Sequence, residues 1–205
     1  MSIKNVVVAG GGVLGSQIAF QSAYKGFNVK VWLRMESSNG RAKPKFERVA
    51  KIYQETLQAM KTNPAAYCRG LADSPELTEA QIDELIEKAA HAMEHIEFTL
   101  SHEEASKDAD LVIEAIAENP AEKVEFYQAM AKYLPEEAII VTNSSTMLPS
   151  AFAESTGRPE KYLALHFANE IWRNNTAEVM GHAGTSPEAY NEVVEFAEAI
   201  GMIPL

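Results

Sequence analysis

Residues 6–19 read Val-Val-Val-Ala-Gly-Gly-Gly-Val-Leu-Gly-Ser-Gln-Ile-Ala. An apolar run leads into Gly10-x-Gly12-x-x-Gly15 and then an amphipathic stretch, the order strand, glycine turn, helix that opens a dinucleotide-binding fold. Gly10 lets the chain turn off the strand. Gly12 has no Cβ, so a pyrophosphate can approach the backbone. Gly15 lets the helix lie close on the strand. The N–H groups and positive dipole end of that helix then face the phosphates, which makes Gly10, Gly12, Val13, Leu14 and Gly15 the expected cofactor contacts. A glycine turn of this kind also occurs without any ligand, and here the flanks favour a nucleotide site.

The chain has 205 residues, 46% hydrophobic and 23% charged, enough for one large domain or one and a half small ones with a good core. A net charge of −11 argues against nucleic acid and against an anionic membrane surface, though not against an anionic small ligand. The single cysteine, Cys68, excludes an internal disulfide and fits a reducing compartment. No apolar run is long enough to span a membrane, and the start of the chain carries no secretory signal pattern. A cytoplasmic protein is expected.

Periodicity and chain breakers divide the rest. Strands are expected over 3–9 and 28–33, with a helix over 13–25 between them. A basic loop follows over 41–45, then a helix over 46–61 with Phe46, Val49, Tyr53, Leu57 and Met60 on one face. A second helix starts at Thr78, where Gln81 completes a capping box. These two helices read as an insertion of about 42–93 after the second strand. Alternation then resumes: strand 96–99, an apolar run over 110–116 suited to a strand buried on both faces, a helix from Pro120, and a strand over 138–142. A short helix over 148–155, strands over 162–166 and 176–181, and a helix from Ser186-Pro187 to Gly201 complete the pattern, with 203–205 as one more strand. The expected architecture is α/β, a Rossmann-type doubly wound sheet with residues 1–205 as one dinucleotide-binding domain.

Polar residues stand at the expected strand ends, where open α/β sheets take ligands: Glu118, Asn143 with Ser144 and Ser145, His166 with Asn169, and Glu178. One histidine and one carboxylate are the minimum for taking a proton from an alcohol near neutral pH. The neutral imidazole accepts it, and the carboxylate fixes the tautomer and stabilises the imidazolium. On composition alone, His166 reads as an ordinary strand-end histidine.

The ordered set of the glycine motif, Val112-Ile113-Glu114-Ala115 with Glu118-Asn119, Asn143-Ser144-Ser145, His166-Phe167-x-Asn169 and Ala177-Glu178-Val179 resembles the 3-hydroxyacyl-CoA dehydrogenase family over essentially the whole chain. Residues 167–172 look like its bacterial 3-hydroxyacyl/3-hydroxybutyryl-CoA dehydrogenase branch. The resemblance implies reversible oxidation of a (3S)-3-hydroxyacyl-CoA to the 3-oxoacyl-CoA with NAD. It implies His166 as base, Glu178 as its carboxylate partner, Ser145 at the substrate oxygen and Asn169 beside the nicotinamide. It also places Asn143, Ser145 and Asn169 at the cofactor, with Glu118 and Lys123 at its ribose region. A homodimer and a C-terminal helical domain belong to the complete family protein. That domain is absent from this sequence, so the ending at Leu205 reads as a truncation.

Two departures stand out. An NAD site takes Asp or Glu about 20 residues beyond the glycines, to bond the ribose 2′-OH. This chain has Leu33 and Arg34 there, followed by Ser37, Ser38, Arg41 and Lys43, with Glu36 the nearby carboxylate. Arginine with hydroxyls suits a 2′-phosphate, so Arg34 is an expected cofactor contact and NADP(H) stands as the alternative to NAD(H). Glu170 occupies the place of the family's usual proline, which is expected to free that loop. His91 and His95 fall four apart near Glu94 and His102, but the spacing fixes no third ligand and no metal is expected. Lys43, Lys45, Arg48 and Lys51 form a basic cluster that reads either as plain surface or as a contact for CoA phosphates. Two rival functions remain: a non-catalytic nucleotide-binding or scaffold protein, and a dehydrogenase of a small non-CoA 3-hydroxy acid or sugar acid.

Overall fold

The computed structural model describes residues 3–205, so the first two residues of the expected domain lie outside it. Strands β1 (Asn5–Ala9), β2 (Asn28–Trp32), β3 (Ile96–Thr99), β4 (Leu111–Glu114), β5 (Ile139–Thr142), β6 (Tyr162–Phe167), β7 (Thr176–Met180) and β8 (Ile203–Pro204) form one sheet. Their spatial order is β3-β2-β1-β4-β5-β6-β7-β8. Pairing is parallel from β3 to β6, antiparallel between β6 and β7, and parallel again between β7 and β8. The chain runs outward from β1 to β2 and β3, then returns to β4 on the other side of β1. The gap between β1 and β4 is therefore the switch point at which doubly wound sheets take ligands.

Both faces of the central strands β1, β4 and β5 are covered, and the strand sequences show why. Val6 and Val8 face one apolar layer while Val7 and Ala9 face the other. The first layer is built by α1 (Val13–Tyr24), α2 (Glu36–Met60), α3 (Glu79–His91) and α6 (Pro187–Ala199). The second rests on α4 (His102–Ser106) and α5 (Pro120–Ala131), through Ala105, Phe126, Tyr127 and Met130. Near-continuous apolar strands such as Leu111-Val112-Ile113 are what two covered faces require. Thr78 and Gln81 form the expected capping box on α3, and Ser186 caps α6 with Pro187 in its first turn.

The expected basic loop over 41–45 is helix instead. α2 starts at Glu36 and carries Pro44 in its interior. Tertiary packing overrides the local breaker: Ala42 is buried, and Ala42, Phe46, Val49, Tyr53 and Leu57 form one continuous buried stripe. Ala42 also seats α2 against the glycine turn, because a Cβ on Gly11 would lie 2.7 Å from the Ala42 Cβ. The short helix expected over 148–155 is two 3₁₀ turns, Pro149–Ala151 and Ala153–Thr156, the second ending at left-handed Gly157.

Candidate active site

The glycine turn is tight where it touches protein and open where it would touch a ligand. A Cβ on Gly15 would lie 2.1 Å from the Gly10 carbonyl oxygen, and one on Gly10 (φ +118°) would lie 2.5 Å from that of Ala115. At Gly12 an added Cβ meets nothing within 4 Å, so the fold itself does not demand glycine there. Gly12 caps α1 without a side-chain bond, and no acidic residue occupies the first turn. The uncapped donors and the bare backbone fit a pyrophosphate. A cleft of about 630 Å³ opens beside this turn, lined by Gly10–Gly12, Leu33, Arg34, Ser38, Arg41, Ala115 and Glu122, among others. Dinucleotide-sized ligands bury themselves in clefts of this order.

Under the turn lies a buried charge network. The Glu114 and Lys123 side chains are 0% and 1% exposed, and the Lys123 amine donates to both Glu114 oxygens at 2.8 and 2.9 Å. Tyr127 and Thr142 also donate to Glu114, at 2.6 and 2.8 Å, as does the Ile116 N–H at 2.9 Å. Burial pushes the Tyr127 phenol far above its ordinary range and the Glu114 charge pushes it further, so it stays a donor. Lys123 is thus committed to Glu114 and only 4.0 Å from Glu118, whose carboxylate accepts from Ser144 at 2.8 Å. Glu118, Lys123, Asn143 and Ser144 line one small pocket with the start of α1.

His166 and Glu178 are register partners across the antiparallel pair of β6 and β7. Side chains of directly opposed residues share a face, and here Nδ1 stands 2.9 Å from Glu178 Oε2. Because a carboxylate only accepts, Nδ1 carries the hydrogen and Nε2 is left as a base. The Asn143 Oδ1 accepts from the Phe167 N–H at 3.0 Å, which ties the loop carrying exposed Ser145 to the end of β6. Asn169 lines a separate groove with Val13, Gln17, Lys45, Arg48 and Glu170. The carboxyl edge of the sheet therefore gathers the glycine turn, Asn143, Ser145, His166 and Glu178. Arg34 follows β2 and lines the large cleft, paired with Glu122 at 2.7 Å.

The loop at Glu170 is not freed by the missing proline. Glu170 sits at φ +57°, a left-handed angle that a proline ring cannot reach. Its N–H donates to Gln17 Oε1 at 2.8 Å, and its carbonyl accepts from Arg173 and Asn174, each at 2.8 Å.

Comparison with known proteins decides the family. The profile of "3-hydroxyacyl-CoA dehydrogenase, NAD binding domain" matches residues 5–205. The chain belongs to this family. It is 29% identical over 202 residues to a probable 3-hydroxybutyryl-CoA dehydrogenase of Bacillus subtilis, covering 98% of this chain and 61% of that protein. Its fold superposes on a diketoreductase structure with a TM-score of 0.84 at 42% identity, over 100% of this chain and 64% of that one. At 23% identity, (S)-3-hydroxybutyryl-CoA dehydrogenase from Ralstonia eutropha shares the fold, with a TM-score of 0.79 over 100% of this chain and 63% of that one. The chain thus spans a little over three fifths of the length of these relatives.

For this NAD-binding domain of the dehydrogenase family, the sequence motifs missed two things. Glu114 was legible only as part of a resembling string. Its signal was a carboxylate ending an apolar strand with a lysine nine residues on, in the next helix. Lys45, in a cluster that reads either as plain surface or as a contact for CoA phosphates, lines both the large cleft and the Asn169 groove. His91 is engaged by Glu94 at 2.7 Å, and among the described residues no group of three or more His, Cys, Asp or Glu could hold a metal ion. No described helix is long and apolar enough to cross a membrane.

Proposed function

We propose that this chain is the dinucleotide-binding part of an oxidoreductase that interconverts the 3-hydroxyl and 3-oxo groups of an acyl thioester, a (3S)-3-hydroxyacyl-CoA. The observation that carries it is the His166–Glu178 pair at the carboxyl edge of the sheet, on the same edge as a ligand-ready glycine turn. The nicotinamide, when bound, supplies the hydride acceptor or donor. The dinucleotide's phosphates would lie at Gly10, Gly12 and the first turn of α1, its ribose region at Glu118, and its nicotinamide end toward Asn143 and Asn169.

The chain's own residues do the proton chemistry. Nε2 of His166 takes the hydroxyl proton in the oxidation direction and returns it in the reduction. This general-base step by His166 contributes about 10²–10⁴ in rate, and Glu178 holds the ring in that tautomer and stabilises the imidazolium. Ser145, exposed on the loop tied to β6, donates to the substrate oxygen. Lys123 acts at one remove, holding Glu114 and lying near Glu118.

A second reading concerns the substrate. The diketoreductase at 42% identity acts on dicarbonyl compounds, which favours a non-CoA hydroxy or oxo acid for the same proton and hydride chemistry. Assay of the protein with acetoacetyl-CoA and with free dicarbonyl compounds, following oxidation of the reduced cofactor, separates the two. Turnover of the thioester supports the first reading, and turnover of the free dicarbonyl alone supports the second. Turnover of neither, with intact cofactor binding, overturns both.

A further inference from the structure

We infer that the adenosine end of the large cleft selects a dinucleotide bearing a 2′-phosphate, NADP(H), through Arg34, Ser38 and Arg41. The inference rests on the dinucleotide reading above and adds the identity of the cofactor.

The position that would bond a ribose 2′-OH offers no acceptor. After Trp32 closes β2, Leu33 is 3% exposed and packs its Cδ2 toward the glycine turn, 2.9 Å from where a Gly11 Cβ would stand. An apolar carbon fills the place where an NAD site keeps a carboxylate. The next side chain, Arg34, is about half exposed and lines the cleft. Its Nη1 is held by Glu122 at 2.7 Å. A guanidinium has five N–H donors, so this anchor orients the group without exhausting it.

A second guanidinium joins it. Arg41 Nη2 donates to Ser38 Oγ at 3.1 Å, and both residues line the same cleft. Both are brought there because α2 begins at Glu36 rather than after residue 45, so this stretch is a helical face and not a loop. Lys45, one turn on, reaches the Arg41 carbonyl at 3.1 Å and the Gly11 carbonyl at 3.4 Å. The lining therefore carries Arg34, Arg41 and Lys45 against the carboxylates Glu122 and Glu125. In a chain with 18 basic and 29 acidic residues, an excess of cations in one cleft runs against the overall balance. Met35, which also lines the cleft, caps α2 without a side-chain bond, and Glu36 in the first turn offsets the positive end of that helix, so the cationic side chains carry the selection. A dianionic phosphate on the ribose satisfies this set, and a neutral hydroxyl does not.

The test is calorimetric titration of the protein with NADPH and NADH, and with 2′,5′-ADP and ADP as probes of the adenosine end alone. NADPH is expected to bind at least about tenfold more tightly than NADH, with 2′,5′-ADP ahead of ADP by a similar factor. That preference should shrink as salt is raised. Arg34→Ala and Arg41→Ala should each narrow the NADPH–NADH gap, with far-UV circular dichroism confirming that the fold is kept. Equal binding, or tighter binding of NADH, overturns this inference and leaves the dinucleotide reading intact. Binding of neither dinucleotide overturns both.

Discussion

His166 Nδ1 lies 2.9 Å from Glu178 Oε2 because the two residues face each other in the register of β6 and β7. The pair is therefore set by backbone hydrogen bonding rather than by a flexible loop. His166→Ala should cut turnover by about 10²–10⁴ while leaving dinucleotide affinity unchanged. Glu178→Gln keeps the hydrogen-bond geometry but removes the charge that supports the imidazolium. It should lower kcat by less than His166→Ala, with little change in cofactor affinity. Unchanged turnover in His166→Ala would sink the assignment.

The glycine turn separates folding from binding at single positions. Gly15→Ala drives a Cβ to 2.1 Å from a backbone oxygen and should cost about 3 kcal/mol or more, seen as a large drop in Tm. Gly12→Ala meets nothing within 4 Å and already has an extended backbone at φ −69°, so its cost should stay within about 1 kcal/mol. Its effect should appear in the dinucleotide titration, where the new methyl group occupies the pyrophosphate's approach. Equal affinities of wild type and Gly12→Ala would remove the phosphates from this turn.

The same contrast explains what was legible in the sequence. The glycine motif, the apolar strands and the caps at Thr78 and Ser186 are local signals, and each places its element correctly. The start of α2 reads as a loop in one dimension because Pro44 lies among the basic residues Arg41, Lys43 and Lys45. What makes them helical is the burial of Ala42 against the glycine turn, a contact more than thirty residues away in sequence. His166 and Glu178 stand out in the sequence as polar residues at expected strand ends, but their roles as base and partner come only from the resemblance. Nothing within twelve residues of chain announces that an antiparallel turn will bring them to the same face. The Lys123 amine stood among the cofactor contacts, and its commitment to Glu114 follows from packing between α5 and β4 that no local pattern encodes.

That buried pair carries its own prediction. Lys123→Met leaves the Glu114 carboxylate without its cation at 0% exposure, which should cost about 3–5 kcal/mol and abolish folding in a marginal background. The double variant Glu114→Gln/Lys123→Met removes both charges and should cost less than the sum of the single changes, as chemical denaturation would record. Strict additivity would mean that the two groups do not stabilise each other.

His102 supplies a pH dependence. Burial holds its imidazole below the ordinary histidine value of 6.5, with Glu125 opposing and Lys132 assisting the shift, and its ring lies 4.7 Å from that of Trp32. A folded value below the unfolded one means that the unfolded chain takes up the proton first. The neutral ring therefore carries no penalty above 6.5, and stability falls as pH drops below it, levelling off once the folded ring also protonates. His102→Phe keeps an aromatic partner for Trp32 and should flatten the part of the Tm profile that falls as pH drops below 6.5.

Glu170 gives the sharpest conflict between resemblance and structure. Proline is the residue expected at this position, yet Glu170→Pro should destabilise the protein. The native φ is +57°, while a proline ring holds φ near about −65°, so the substitution cannot be accommodated without moving the backbone. It also deletes the N–H that donates to Gln17 Oε1 at 2.8 Å, leaving a nearly buried amide oxygen with only its 3.4 Å bond from Ile171. The two effects together should exceed about 1 kcal/mol. Glu170→Gly is the control: it keeps the N–H, relieves the left-handed strain and should hold or raise Tm. If proline instead raised Tm and glycine lowered it, the loop carrying Asn169 would have to run with a negative φ, and its approach to the groove beside α1 would change with it.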